Sequence, residues 1–307
     1  MDELRVVCAR LPENELVAAE CAALTGGILD AQRVAVCQRL DLIPRAAFIT
    51  LGVRCLAEAS ALDDLCAQIA ALRVEAGRFR VEYLSLWPIN PLPKPQVILA
   101  VANALPAYPD LVNPQHRFVI AAQAEHLWFG EILAEPARDY RLHDTKPYRT
   151  SSSLSARMAR ALINLVAPPA GSILDPFCGT GSILLEATAL GLHAFGRDHN
   201  LKMAGMSRRN LAHFGYSAQV ELGSAQDCTQ TADAVVTDLP YGRQLEQDQA
   251  ALRQVLHHTI QLAPQAVYLA QEDITPWLLD AGYAHVACYR VRKHRSMSRF
   301  IHHAWRG

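Results

Sequence analysis

Ser172-Ile173-Leu174-Asp175-Pro176-Phe177-Cys178-Gly179-Thr180-Gly181-Ser182 is an apolar run that breaks into a glycine-containing loop and then opens a helix. Ile173 and Leu174 read as the end of a buried parallel strand, and Ser182-Ile183-Leu184-Leu185-Glu186-Ala187 as the first turns of the helix. Gly179 and Gly181 let the backbone turn where a Cβ would clash. Strand, glycine loop and helix in this order are what a nucleotide-binding α/β unit requires.

Asp175, at the carboxyl end of the strand, selects the ligand. A carboxylate there repels a pyrophosphate, whereas S-adenosylmethionine carries an α-ammonium and a sulfonium and has no phosphate to cradle. The loop therefore points to that methyl donor as cofactor, with Asp175, Pro176, Phe177, Cys178, Gly179 and Gly181 as binding residues. Cys178 reads as a small uncharged filler, because nothing near it in sequence marks a base.

The string DPFCGTG at 175–181 resembles the first motif of class I amino-group methyltransferases, in the version carried by tRNA guanine-N2 methyltransferases that have an amino-terminal THUMP domain. That resemblance implies an α/β chain: a Rossmann-like class I methyltransferase domain preceded by an α+β ferredoxin-like and THUMP region, with tRNA as partner.

The 307 residues suffice for two cores, and 51% hydrophobic with 19% charged residues is a globular composition. The opening Met1-Asp2-Glu3-Leu4-Arg5 has acids where a signal peptide has bases, and no apolar run approaches membrane-spanning length, so a cytoplasmic location is expected. The eight cysteines are scattered without a CxxC pair, so neither a disulfide framework nor a metal site is expected. A monomer is the expected state.

A net charge of −1 excludes a uniformly basic RNA-binding surface, so the distribution of charge carries the information. Residues 1–135 hold 11 basic and 16 acidic side chains, 136–162 six and two, 163–288 six and twelve, and 289–307 six and none. An RNA would be gripped at the two basic segments, with Lys146 and Arg149 in the first and Arg292, Lys293 and Arg295 in the second.

Before the central loop, Arg5–Ala9, Val34–Arg39, Phe48–Leu56 and Phe79–Leu84 read as strands, and Glu13–Leu24, Asp63–Leu72 and Gln96–Leu105 as helices. Arg117–Ala122 and His126–Ile132 read as a hairpin. This order, with Pro109-Asp110-Leu111-Val112-Asn113-Pro114 before the hairpin, resembles a THUMP domain and its ferredoxin-like companion. The expected division is residues 1–135 for this region, 136–150 for a linker, and 151–307 for the methyltransferase domain, with Ser151-Ser152-Ser153 capping its first helix.

Downstream, Asp198 ends the next strand about twenty residues on, where a carboxylate accepts ribose hydroxyls. Asp227 follows the third strand and is placed to meet the adenine amino group. The fourth strand ends in Asp238-Leu239-Pro240-Tyr241-Gly242. An exocyclic amine is a poor nucleophile because its lone pair is delocalised into the ring, so a catalyst must accept both N–H groups and let the nitrogen pyramidalise. The Asp238 carboxylate and the Leu239 carbonyl supply two acceptors, Pro240 fixes the turn, and Tyr241 stacks on the base. The pattern resembles the [DNS]-P-P-[YFW] motif of amino methyltransferases, with Leu239 in place of the first proline, and its leading Asp resembles the guanine-N2 enzymes. The resemblance implies methylation of guanosine 10 or 6 of tRNA, with 10 preferred on the compact length. Two other readings fit the same residues: an RNA-binding module without turnover, or an amino methyltransferase acting on adenine-N6 or a protein glutamine.

Overall fold

The computed structural model describes residues 3–11, 14–72, 77–86, 93–123, 126–166, 171–240, 249–294 and 297–307, with backbone only at 293, 294 and 297. The chain divides into two compact units: Met1–Arg10, Thr25–Pro44 and Phe48–Pro136 in one, and Leu11–Leu24, Arg45–Ala47 and Ala137–Gly307 in the other. No helix among the described residues is long and apolar enough to cross a membrane.

The first unit is built on β1 (Glu3–Cys8), β2 (Val34–Cys37), β3 (Ile49–Ala59), β4 (Arg78–Ser85), β5 (Tyr108–Pro109), β6 (His116–Ala122) and β7 (Leu127–Ala134). They form one sheet in the order β2-β1-β3-β7-β6-β4-β5, with β4 parallel to β5 and β6 and the other pairs antiparallel. Helix α1 (Asn14–Thr25) leaves this unit, whereas α2 (Leu62–Ala71) and α3 (Lys94–Ala104) cover one face of its sheet. Leu65 and Ile69 of α2 and Val97 and Val101 of α3 pack on Phe79, Phe118 and Phe129. Burying one such side chain contributes about 1.5–3 kcal/mol. The alternate residues Val119, Ala121 and Trp128 bury the opposite face, as the two-residue period of a strand dictates.

The second unit contains α4 (Ala156–Leu165), β8 (Ser172–Asp175), α5 (Ser182–Ala189), β9 (His193–Asp198), α6 (Leu201–His213), β10 (Gln219–Leu222) and β11 (Ala234–Asp238). It continues through α7 (Gln249–Leu262), β12 (Gln265–Ala270), α8 (Thr275–Asp280), β13 (His285–His294) and β14 (Met297–Trp305). The sheet order is β10-β9-β8-β11-β12-β14-β13, parallel from β10 to β12, with β14 antiparallel to both neighbours. This seven-stranded, mostly parallel sheet is of the Rossmann-like kind that the resemblance implies. Its winding reverses between β8 and β11, and ligands of such sheets bind outside the carboxyl ends of the strands at that reversal.

The division into units differs from the expected one in two places. Residues 137–150 pack into the second unit: Tyr140, His143 and Lys146 are buried, so the stretch is part of a core and not a linker. The second difference is α1, whose Leu16, Val17 and Cys21 are buried. Within the unit it shares with α4, Glu20 accepts hydrogen bonds from the Ala47 amide (2.8 Å) and from Asn164 Nδ2 (2.7 Å). A buried carboxylate needs such partners, and nothing in the local sequence around Glu20 marks Ala47 and Asn164 as the residues that supply them.

The cap of α4 is Ser155, whose hydroxyl accepts from the Met158 amide, and not Ser151–Ser153. Against α4 and α5 lies a buried ionic group: Glu186 accepts from Arg160 Nε at 2.7 Å and pairs with His143 Nδ1, while Arg160 also reaches Asp139.

Candidate active site

Three carboxylates stand at the carboxyl ends of adjacent parallel strands: Asp175 on β8, Asp198 on β9 and Asp238 on β11. All three line one pocket of about 390 Å³, together with Phe177, Cys178, Gly179, Leu239 and Pro240. The strand ends expected to share a site therefore open on the same side.

Asp175 is fully enclosed, with its Oδ1 accepting from Thr237 Oγ1 at 2.6 Å and from the Phe177 amide at 3.2 Å. Burial pushes its carboxyl up to about 7, against the pull of those hydrogen bonds and aided by the charges of Asp238 and Asp198. A desolvated carboxylate near two others is a cation-seeking group. Asp198 holds the loop: Oδ2 accepts from the Gly179 amide (2.9 Å) and Oδ1 from the Asn200 amide (2.8 Å).

Of the two loop glycines expected to avoid a clash, Gly181 does so and Gly179 does not: a Cβ at Gly179 would meet nothing closer than 3.9 Å, and its φ of +52° is what favours glycine there. Gly181 has φ of +83°, and a Cβ there would lie 2.5 Å from Ser207 Oγ. Gly196 of β9 would put a Cβ 2.4 Å from Leu184 Cδ1, so its absence lets α5 approach the sheet. Cys178 is buried and its thiol is pushed up by desolvation and by Asp175 and Asp198, which suits a filler and not a nucleophile.

At the β11 end, the Leu239 amide donates to the Leu269 carbonyl at 2.9 Å, so pairing with β12 runs one residue past the strand. The Asp238 carboxylate is bonded by the guanidinium of Arg299 on β14. Pro240 is exposed, and Tyr241 lies outside the described residues.

Other expected site residues fall elsewhere. Asp227 ends a 3-10 turn, Ala225–Asp227, is exposed and does not line the pocket. Lys146 is not available to a phosphate: its side chain is buried and Nζ donates to Ser182 Oγ at the start of α5. Burial also holds its ammonium below the usual lysine value. Arg149 is exposed and donates to the Asp144 carbonyl at 3.3 Å, and Arg292 is exposed on β13. Lys293 is on the same strand, and Arg295 lies outside the described residues.

Sequence reasoning missed Arg299, Thr237 and a rim of hydroxyls on Thr150, Ser152, Ser153 and Thr180. Ser153 Oγ lies 3.0 Å from Thr180 Oγ1 and accepts from the Thr150 amide at 2.8 Å, which joins the segment before α4 to the glycine loop. The only earlier signal was the run of serines at 151–153, which reads equally as a cap.

Asp273, Cys288 and His302 place potential metal-ligand atoms within 4.8 Å of one another. Their contacts have a simpler account. His302 Nε2 faces the Ile274 amide, which donates to it at 3.1 Å, and Asp273 Oδ1 accepts from the Thr275 amide where α8 begins.

Residues 143–270 match the family model described as UPF0020, RMKL-like methyltransferase domain. The chain is similar to a tRNA (guanine(10)-N2)-dimethyltransferase of Methanothermobacter thermautotrophicus, 34% identical over 63% of this chain and 59% of that protein. It is also similar to the protein of the same name from Pyrococcus abyssi, 28% identical over 57% of this chain and 58% of that one. The matches thus span about three fifths of these relatives' lengths. The crystal structure of TrmN from Thermus thermophilus shares the fold across 99% of this chain and 100% of its own, with a TM-score of 0.54 at 21% identity. The matched residues 143–270 hold the three strand-end carboxylates that surround the pocket, and over that span the chain is similar to the UPF0020, RMKL-like methyltransferase domain.

Proposed function

We propose that this chain transfers methyl groups from S-adenosylmethionine to the N2 amine of guanosine 10 in tRNA, acting as a cytoplasmic monomer. The observation that carries this reading is the convergence of Asp175, Asp198 and Asp238 on one pocket at the reversal of the sheet. The names of the similar curated proteins support guanosine 10 and repeated transfer.

The residues present fit the cofactor. The enclosed Asp175 lines the pocket, and its hydrogen bonds from a neutral hydroxyl and an amide leave its charge to be balanced by a cationic ligand. S-adenosylmethionine, when bound, supplies an electrophilic methyl group on a sulfonium. Asp175 balances cationic charge, Asp198 accepts ribose hydroxyls while bracing Gly179, and the Thr180 side holds the loop to the hydroxyl rim.

Asp238 and the Leu239 carbonyl take the N–H groups of the guanine amine, so that its lone pair leaves the ring and aims at the methyl carbon. As the methyl group of a bound donor is transferred and its sulfonium neutralised, Asp238 would take one proton from the amine and pass it on to solvent. Tyr241 stacks on the base. The first unit acts as a THUMP-like module that positions the tRNA end, with Arg149, Arg292, Lys293 and Arg295 near phosphate.

The test is methylation of unmodified tRNA with labelled donor, followed by nucleoside analysis. N2-methyl- and N2,N2-dimethylguanosine mapping to position 10 are expected. Label in N6-methyladenosine or in protein overturns the substrate assignment, and no label in any of them overturns the activity.

A further inference from the structure

We propose that Arg299 is the positioning residue of the transfer step: its guanidinium holds the Asp238 carboxylate ionised and oriented to accept the guanine amine. This rests on the methyl-transfer reading above and adds a residue far from either motif.

The strand register places it. Asp238 pairs with Leu269 of β12, and Leu269 pairs with Ile301 of β14, so these three residues form one row across the sheet. Arg299 precedes Ile301 by two residues and shares its face, because side chains alternate along a strand. Pairing of β12 with β14 stops at Ala270 and Phe300, one residue short of Arg299. The side chain thus passes the end of β12 and reaches Asp238, with the Arg299 side chain 7% exposed and that of Asp238 17%.

The pairing answers an electrostatic problem. Among the described residues, the titratable groups around Asp238 in the pocket are Asp175 from β8, Cys178 from the loop after it, and Asp198 and His199 from β9. Two of these are further carboxylates, and neighbouring carboxylates drive one another to take up protons. A protonated Asp238 would offer a donor where the amine needs an acceptor. The guanidinium shifts that balance for Asp238, while Asp175 has hydrogen bonds from a neutral hydroxyl and an amide. An ion-paired carboxylate is a weak base, and that suffices: an aryl amine that has gained a methyl group is strongly acidic until it sheds its proton. A carboxylate has about four lone-pair sites, so the guanidinium bond does not by itself exhaust its capacity to accept from an amine.

The test compares Arg299→Met and Arg299→Lys with the wild-type chain. In Arg299→Met, kcat for tRNA methylation should fall about a hundredfold with the Kd for S-adenosylmethionine and the KM for tRNA within about threefold. The acid limb of kcat should move up by about one pH unit, and Arg299→Lys should restore about tenfold of the loss. A kcat within about threefold of wild type, or an unmoved acid limb, overturns the proposal. Carbon-13 carboxyl titration of Asp238, in the absence of RNA, separates this from the wider reading. The Asp238 signal should titrate at higher pH in either variant, and an unchanged midpoint in both overturns the role of Arg299. Failure of the wild-type chain to methylate guanosine overturns the methyl-transfer reading, and the carboxyl titration still decides the pairing.

Discussion

Thr237 donates its hydroxyl to Asp175 Oδ1 at 2.6 Å, tying together the ends of β11 and β8 at the reversal of the sheet. Both side chains are buried. The bond favours the ionised carboxylate against a larger desolvation that opposes it, which leaves Asp175 at about 7.

Cofactor affinity should therefore depend on pH. A cationic ligand selects the ionised form, so the Kd for S-adenosylmethionine should rise about tenfold for each pH unit below about 7. Calorimetry in buffers of different ionisation enthalpy should show proton release on binding at pH 6 and little at pH 8.5. Thr237→Val removes a bond to the ionised form and should move the break upward.

The same group bears on stability with the opposite sign. Between about 4 and 7 the native chain holds a proton on Asp175 that the unfolded chain has lost, so stability falls as pH rises through that window. Asp175→Asn should raise the unfolding free energy of the ligand-free protein at pH 8 by a few kcal/mol, while cofactor binding is lost. A lower denaturation midpoint for the variant at pH 8 would contradict this account.

Gly181→Ala should destabilise through two separable effects. The left-handed backbone costs about 1–2 kcal/mol for any Cβ, and contact with Ser207 Oγ adds to it. Adding Ser207→Gly should recover the contact part alone, which a double-mutant cycle in urea measures.

Glu186→Ala should cost about 3–5 kcal/mol, because it takes the buried carboxylate from both Arg160 and His143 and leaves Arg160 only its contact with the half-exposed Asp139. Chemical denaturation monitors this directly.

The two basic residues of the first basic segment should now separate. Lys146→Ala should lower the melting temperature and leave the salt dependence of tRNA binding unchanged, because its ammonium faces Ser182. Arg149→Ala should reduce the slope of log affinity against log salt by about one and leave stability unchanged.

What could be read from the sequence is local. Asp175, Gly181, Asp198 and Asp238 follow from strands that end in polar loops, because each strand end and its loop are contiguous in the chain. Arg299 could not be read in this way: it is 61 residues from Asp238 and reaches it only through the register of β12 with β14. Lys146 misled because a basic stretch carries no mark of which residue turns inward. Asp227 misled for the converse reason, since a polar turn after a strand looks the same whether it faces the pocket or water.

The passage of α1 and residues 45–47 into the second unit has a consequence for how the chain could be divided. A cut after Pro136 should leave a carboxy-terminal piece that is not self-sufficient, because Asn164 would lose both Glu20 and Arg45 as partners. Supplying residues 11–47 as a separate peptide should restore the fragment, so the two halves are interleaved in the chain and cannot be exchanged as beads on a string.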